Sequence, residues 1–138
     1  MKPRHTHFLL FFLPVLLWGA GCTQQGESEA AKSGVELFFE EPVFDYGTIP
    51  EDGDGTHTFV CKNLGKEAVV INRVRSTCGC TVPEWPREPL EPGATGEILV
   101  KYNTAQTGTF LKSLYVYSTA ANTPVKLQIK GKVNSKTS

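Results

Sequence analysis

Two cysteines separated by one glycine, Cys78 and Cys80, are the residues of this chain best suited to chemistry. In an extended segment, side chains two residues apart point to the same side, so the two thiols would be neighbours. A bond between them would close a small ring, and strained disulfides are the more readily reduced ones. Cys61 adds a third thiol, which strand alternation places on the inward side with Phe59 and which could pair with either of the others.

Three interpretations of these thiols stay open on the residues alone. The first, which we favour, is structural: the cysteines are packed thiols or form a stabilising disulfide. The second is a soft-metal site in which Cys78 and Cys80 hold Cu(I). The third is a redox-active pair or a pair that contacts a partner. A structural zinc site usually needs four protein ligands, and Cys61, Cys78, Cys80 and His57 could just supply them. His57 is the only histidine after residue 21, and Met1 is the only methionine. We therefore expect no cofactor, with copper as the alternative.

Catalytic patterns are missing from the sequence. A serine or cysteine nucleophile would have to use His57 as its base. Asp52 and Asp54 flank Gly53, but a calcium loop starting at Asp52 would need glycine where His57 stands and glutamate where Asn63 stands. The segment therefore predicts a turn. With no phosphate-binding or dinucleotide glycine loop either, we expect that the protein is not an enzyme.

Short strands must position these residues, because hydrophobic side chains recur with a period of two. Val74 falls out of phase with the apolar run 68–71, which predicts a bulge near Asn72. The proline-rich stretch 83–92 cannot lie inside a sheet. No window keeps a helical repeat, so the pattern predicts an all-β chain, an antiparallel β-sandwich of about seven strands. The predicted inward sets are Phe59 and Cys61; Ile98, Val100 and Tyr102; Phe110, Leu114 and Val116; and Leu127, Ile129 and Val133.

The strand from Phe110 to Ser118 offers one candidate binding surface. Its opposite face carries Leu111, Tyr115 and Tyr117, an aromatic stripe of the kind that anchors partners. Tyrosine packing across strands of a solvated sheet explains the same pattern, and we favour that explanation. The alternating lysines from Lys126 to Lys132 predict a protected edge strand.

The N-terminal segment has the build of a secretory signal. Residues 1–21 combine a cationic start, an apolar run from Phe8 to Ala20 and small residues before Cys22. The run is too short to span a bilayer. Residues 22–34 are polar and predict a flexible tether, residues 35–133 have the size of one domain, and residues 134–138 form a polar tail. Cleavage would leave 12 basic and 14 acidic residues, which does not suggest a nucleic-acid partner.

Cys22 resembles the modified cysteine of a bacterial lipoprotein signal, although Gly19 stands where leucine is usual. The resemblance implies a diacylglyceryl group and usually an amide-linked acyl chain, such as palmitate, on Cys22. More than one acyl chain is needed for stable membrane attachment, and this modification supplies it. It implies a bacterial cell-envelope location, facing the periplasm or the cell surface.

Five segments of the domain match a known family: 44–49 (FDYGTI), 59–65 (FVCKNLG), 76–81 (STCGCT), 92–93 (PG) and 108–113 (GTFLKS). With them the domain resembles a bacterial family of unknown function, DUF1573, related to the immunoglobulin-like domains named after ASPM, SPD-2 and hydin. The resemblance covers nearly all of the domain and departs from the family at Cys61, where an aromatic residue is usual. It implies an immunoglobulin-like sandwich, often lipid-anchored, and no reaction.

These observations predict a lipid-anchored envelope protein whose single domain is a non-catalytic binding or structural module. The expected partners are the membrane, through Cys22, and a protein or glycan of the cell envelope. The alternative function is thiol-redox or Cu(I) handling through Cys78 and Cys80.

Overall fold

The computed structural model describes residues 35–136, so the predicted signal peptide, Cys22 and the predicted tether lie outside the described residues. Within this range the chain forms strands and no helix. Accordingly, no described residue belongs to a helix that could cross a membrane. The strands are β1 Leu37–Phe39, β2 Val43–Pro50, β3 Thr56–Asn63, β4 Ile71–Ser76, β5 Thr81–Glu84, β6 Thr95–Tyr102, β7 Gly108–Ser118 and β8 Val125–Asn134.

Two four-stranded sheets pack face to face. Sheet A has the strand order β1-β3-β6-β5, and sheet B has the order β2-β8-β7-β4. All neighbouring strands are antiparallel except β2 and β8, which are parallel. The predicted all-β sandwich is therefore confirmed, with eight strands instead of about seven and with one parallel pair.

The core lies between the sheets and contains the predicted inward side chains. Each apolar set named from the alternation is buried, because residues two apart on a strand share one face. Phe59, Ile98, Leu114 and Leu127 are almost fully enclosed and come from both sheets. The register of β4 against β7 shifts between Ile71 and Arg73, which confirms the bulge predicted near Asn72.

Three details differ from the prediction. The strand β1 was missed, because three residues are too few to show a period. Pro83 lies within β5, which is tolerated because β5 is an edge strand of sheet A. The prediction that the lysines of β8 protect an edge was wrong, since β8 lies inside sheet B between β2 and β7.

A buried asparagine fixes the turn after β3. Asn63 is fully buried, and its side-chain nitrogen donates to the carbonyls of Glu67, at 2.7 Å, and Leu90, at 2.8 Å. Its side-chain oxygen accepts the Gly65 N–H at 2.9 Å. All hydrogen-bonding groups of the amide are used, so a polar residue is tolerated in the core.

Candidate functional site

Cys78 and Cys80 form a disulfide in the loop that joins β4 of sheet B to β5 of sheet A. Their Cα atoms are 5.3 Å apart, and both residues are half-buried. The Cys78 N–H donates to Ser76 Oγ at 3.3 Å, and the Cys80 carbonyl accepts the Asn103 N–H at 2.8 Å. Of the three open interpretations, this geometry favours a staple at the crossover between the sheets.

Cys61 is remote from this disulfide. It pairs with Gly96 near the start of β6, whereas Cys80 contacts Asn103 just beyond the end of that strand. The Cys61 thiol is free and fully buried, and its Sγ lies 3.3 Å from the Gly96 carbonyl oxygen. Burial raises the pKa of this thiol, although the hydrogen bond to Gly96 opposes the shift. A protonated, enclosed thiol is a poor nucleophile, so its role here is packing.

The alternative metal set is not assembled. Within residues 35–136, no group of three or more histidine, cysteine, aspartate or glutamate side chains is placed to hold a metal ion. Cys78 and Cys80 are bonded to each other, and Cys61 lies at the other end of sheet A. The four residues of the alternative zinc site, Cys61, Cys78, Cys80 and His57, therefore do not converge within residues 35–136. Sequence spacing alone could not decide this, because it does not set convergence across a sandwich.

His57 lies at the seam between the sheets. Its ring stacks on Phe44 of β2, with centroids 3.5 Å apart, and meets the edge of Phe59 at 4.6 Å. Burial lowers the pKa of His57, while Glu41 opposes that shift. Among residues 35–136, no hydrogen bond joins the imidazole to a serine, threonine or cysteine side chain. The geometry is that of an aromatic packing residue and gives no nucleophile–base pair.

The turn after β2 is built by its own hydrogen bonds. The Asp54 side chain accepts the Thr56 N–H at 2.8 Å. Hydrogen bonding from the Thr56 side chain, and then from this N–H, holds the pKa of Asp54 below its usual value. Tyr46 donates its hydroxyl to the Gly55 carbonyl at 2.7 Å. Burial, reinforced by the Asp54 charge, raises the pKa of Tyr46 to about 12. The predicted turn is confirmed, and the segment 51–55 is structural.

The outer face of sheet B brings the predicted binding stripe together with basic side chains. Leu111 is 60% exposed, and Tyr115 and Tyr117 are half-buried on the same face. The strand register pairs Tyr117 with Arg73 and Tyr115 with both Arg75 and Lys126. This surface is called the basic face below, and it consists of Arg73, Arg75, Leu111, Tyr115, Tyr117, Lys126, Lys130 and Lys132.

The cations around the two tyrosines form no ion pair with any residue of 35–136. The ion pairs of residues 35–136 join Lys130 to Asp45, at 3.6 Å, and Lys136 to Asp52, at 2.8 Å. Arg73, Arg75 and Lys126 are in neither, and the Arg73 guanidinium lies 4.6 Å from the centroid of the Tyr117 ring. Three free cations around two aromatic rings form a region suited to anionic groups.

A shallow depression continues the basic face toward the other end of the sheet. Its volume is about 350 Å³, within the size range of small-ligand sites. The lining combines apolar surface with lysine side chains, so it could hold one ring of a larger ligand. The lining residues are Asp45, Gly47, Thr109, Phe110, Leu111, Lys130, Gly131 and Lys132.

Sequence reasoning placed Leu111, Tyr115 and Tyr117 on one face but missed the charges beside them. Arg73 and Arg75 flank the inward Val74, so their shared outward face was readable from the alternation. Their position beside Tyr117 and Tyr115 was not, because it depends on which strands are neighbours.

The sequence also matches a known family model. Residues 37–133 match the model described as "Protein of unknown function (DUF1573)". The chain belongs to the DUF1573 family. No curated protein matches the chain.

Solved structures similar to this DUF1573 domain share its fold at low identity. A protein of unknown function from Porphyromonas gingivalis W83 is 10% identical with a TM-score of 0.61, over 72% of this chain and 46% of that one. The ASH/PapD-like domain 7 of human CEP192 is 11% identical with a TM-score of 0.62, over 76% of this chain and 88% of that one. The Vibrio cholerae VesB protease is 11% identical with a TM-score of 0.56, over 73% of this chain and 32% of that one. This DUF1573 chain thus spans about half the length of the first protein, and the likeness shows the fold alone.

Proposed function

We propose that this protein is a lipid-anchored component of the bacterial cell envelope whose immunoglobulin-like domain is a non-catalytic binding module. Its binding surface is the basic face, and its ligand is an anionic polymer of the envelope. One observation carries the proposal: Arg73, Arg75 and Lys126 surround Tyr115 and Tyr117 on three neighbouring strands, and none of the three is in an ion pair with another described residue.

An acidic glycan fits this surface best. Tyrosine rings offer flat apolar area to sugar rings at a small cost in side-chain entropy, and they keep a hydroxyl for hydrogen bonding. Arginine and lysine pair with the carboxylates or phosphates of such a glycan. The depression lined by Leu111 and Lys130 adds room for a further sugar unit. An acidic protein segment is the competing ligand that the experiment must separate.

Binding of defined polymers measures the ligand class. The full chain is titrated by calorimetry with polygalacturonate, with neutral dextran and with polyglutamate, at low and high salt. We expect binding to polygalacturonate that weakens with salt, because the contacts lie at an exposed surface. Dextran binding of equal strength, or stronger binding of polyglutamate, would contradict the glycan assignment.

Charge reversal tests the surface itself. Arg75→Glu combined with Lys126→Glu should weaken polygalacturonate binding about tenfold or more, equivalent to about 1.4 kcal/mol. The matched control is Lys66→Glu with Arg87→Glu, which changes the net charge equally at exposed positions away from the basic face. Equal losses in both double variants would show only a net-charge effect and would sink the assignment.

The anchor is tested separately. Cys22→Ala should move the protein from the detergent phase to the aqueous phase, because the acyl chains are lost. Mass spectrometry of the wild-type N-terminus should show an acylated Cys22 as the first residue. Unchanged partitioning of the variant, or an unmodified thiol at Cys22, would refute the anchor while leaving the binding surface untouched.

The thiol-redox and copper alternative receives no support from the described residues. The Cys78–Cys80 pair stands alone, since Cys61 and His57 lie elsewhere in the sandwich. The non-catalytic assignment likewise rests on His57, whose ring packs against Phe44 and is hydrogen-bonded to no serine, threonine or cysteine side chain among residues 35–136.

A further inference from the structure

The outer face of sheet A carries an apolar stripe that crosses all four strands. Phe38, Val60 and Val82 are 43%, 51% and 57% exposed, and Leu99 is half-buried between them. In the strand register, Phe38 lies opposite Lys62, Val60 opposite Glu97, Leu99 opposite Thr58, and Val82 opposite Lys101. From each strand to the next, the apolar side chain is therefore displaced by two residues along the strand direction. The result is one continuous diagonal, called the apolar stripe below: Phe38, Val60, Leu99 and Val82.

Charged side chains flank the apolar stripe in a fixed order. The register places Lys62, Glu97 and Glu84 in sequence along one side. Thr58 and then Lys101 follow along the other side, and Glu40 precedes them just after the end of β1. The order is thus positive, negative, negative on one side and negative, neutral, positive on the other.

This order is complementary to itself. A two-fold axis along the apolar stripe places the stripe of one copy on the stripe of another and exchanges the two sides. Lys62 then faces Glu40 of the second copy, Glu84 faces Lys101, and Glu97 faces the neutral Thr58. A two-fold axis across the stripe would instead bring Glu97 against its own copy, a contact between like charges. Self-complementarity of one patch is what a two-fold symmetric interface requires.

We propose that the outer face of sheet A is a homodimer interface, with the two copies related by a two-fold axis along the apolar stripe. The stripe runs at roughly 35° to the strands, because each step crosses about 4.8 Å between strands and about 6.7 Å along them. The strands of the two copies therefore cross at roughly 70°, nearer to orthogonal than to aligned sheet packing.

The interface is small. The strands β1, β3, β6 and β5 have 3, 8, 8 and 4 residues. At about 3.3 Å per residue and about 4.8 Å between strands, they give a face of roughly 360 Å² per copy, or roughly 720 Å² in total. This is the size of a weak or transient interface. The dimer should therefore form mainly where the protein is concentrated, as on a membrane surface, and the basic face of each copy stays free because it belongs to the opposite sheet.

Cross-linking in intact cells tests the interface on the full chain. Val60→Cys places a thiol on the two-fold axis, and a short bismaleimide should join two copies through it. The matched control is Val43→Cys on the outer face of sheet B, since Val43 is 46% exposed and Val60 is 51% exposed. We expect at least fivefold more cross-linked homodimer, identified by mass spectrometry, from Val60→Cys. Equal yields, or adducts of Val60→Cys with a different protein, would overturn the proposal.

A charge exchange tests the axis. In the Val60→Cys background, Glu84→Lys and Lys101→Glu should each lower the homodimer yield severalfold, because each places like charges opposite each other. The two together restore opposite charges in reversed order and should recover the yield. A double variant that stays as low as the single variants would overturn the proposed arrangement. Because the single variants are surface changes, circular dichroism should show unaltered folding in each.

Discussion

The two outer faces of the sandwich are built on the same core but have different surface chemistry. The outer face of sheet A carries the apolar stripe between charges of both signs. On the basic face of sheet B, two tyrosines lie among Arg73, Arg75 and Lys126, which form no ion pair within residues 35–136. Mixed charges in a self-complementary order suit a second copy of the same chain. Charges of one sign suit an anionic ligand of another kind. The two proposals thus assign assembly to one sheet of the domain and binding to the other.

The largest expected effect is on the free energy of unfolding, and it comes from Asn63 in the core that both faces share. Asn63→Leu keeps a similar volume but leaves the Glu67 carbonyl and the Gly65 N–H without their partner. The Leu90 carbonyl loses one of its two donors and keeps the Val69 N–H. We expect a loss of about 3 kcal/mol in the free energy of unfolding, because unpaired buried polar groups are costly. Urea denaturation measures it.

This variant also tests whether the two faces depend on a single folding unit. Dimer formation and ligand binding should be lost together at temperatures where Asn63→Leu is unfolded. A loss of one property with the other intact would show that the sheets do not fold cooperatively. Thr119→Ser serves as a conservative control at an exposed position.

A smaller effect is expected where the chain crosses from one sheet to the other. Replacing both Cys78 and Cys80 by serine opens a ring closed between residues two apart in sequence. The chain-entropy model gives about 1.5 kcal/mol for so short a loop. Thermal unfolding should show this modest loss, and ligand binding by the basic face should persist in the folded variant. Abolished binding would shift the functional site to the disulfide loop.

If the two faces act independently, a change on one face should have little influence on the effect of a change on the other. Val60→Glu should impair only dimer formation, and Arg75→Glu should impair only binding of an oligosaccharide short enough to occupy one copy. The binding effects of the two changes together should add to within about 0.5 kcal/mol, as expected of distant sites. Calorimetry of the four variants forms the cycle, and a larger coupling would mean that the ligand bridges two copies.

The smallest effect is expected from pH at the seam between the sheets. Because burial lowers the pKa of His57 in the folded state, the unfolded chain takes up this proton first as pH falls. The contribution of His57 to the free energy of unfolding is therefore fully present above the pKa of histidine in the unfolded chain, about 6.5. It declines as the pH falls from there to the lower pKa of His57 in the folded protein. His57→Gln should remove that decline in urea titrations between pH 7 and 5. An unchanged pH profile would contradict the burial of the imidazole.

Local alternation fixed much of the architecture in advance. Phe59 with Cys61, and Phe110 with Leu114, could be placed inside because side chains alternate along a strand whatever its neighbours are. The same rule put Tyr115 and Tyr117 outside. It failed for β1, which is too short to show a period, and for β8, whose lysines indicated an edge although the strand lies inside its sheet.

What the sequence determined by itself is the set of residues on each face of each strand, because that depends only on the geometry of one extended chain. What only the tertiary structure decided is which strands lie side by side. Strand order and register put Arg75 beside Tyr115, align Phe38, Val60, Leu99 and Val82 on one diagonal, and keep Cys61 away from Cys78 and Cys80. These are contacts between distant parts of the chain, and they are selected by the packing of the whole core rather than by any local preference.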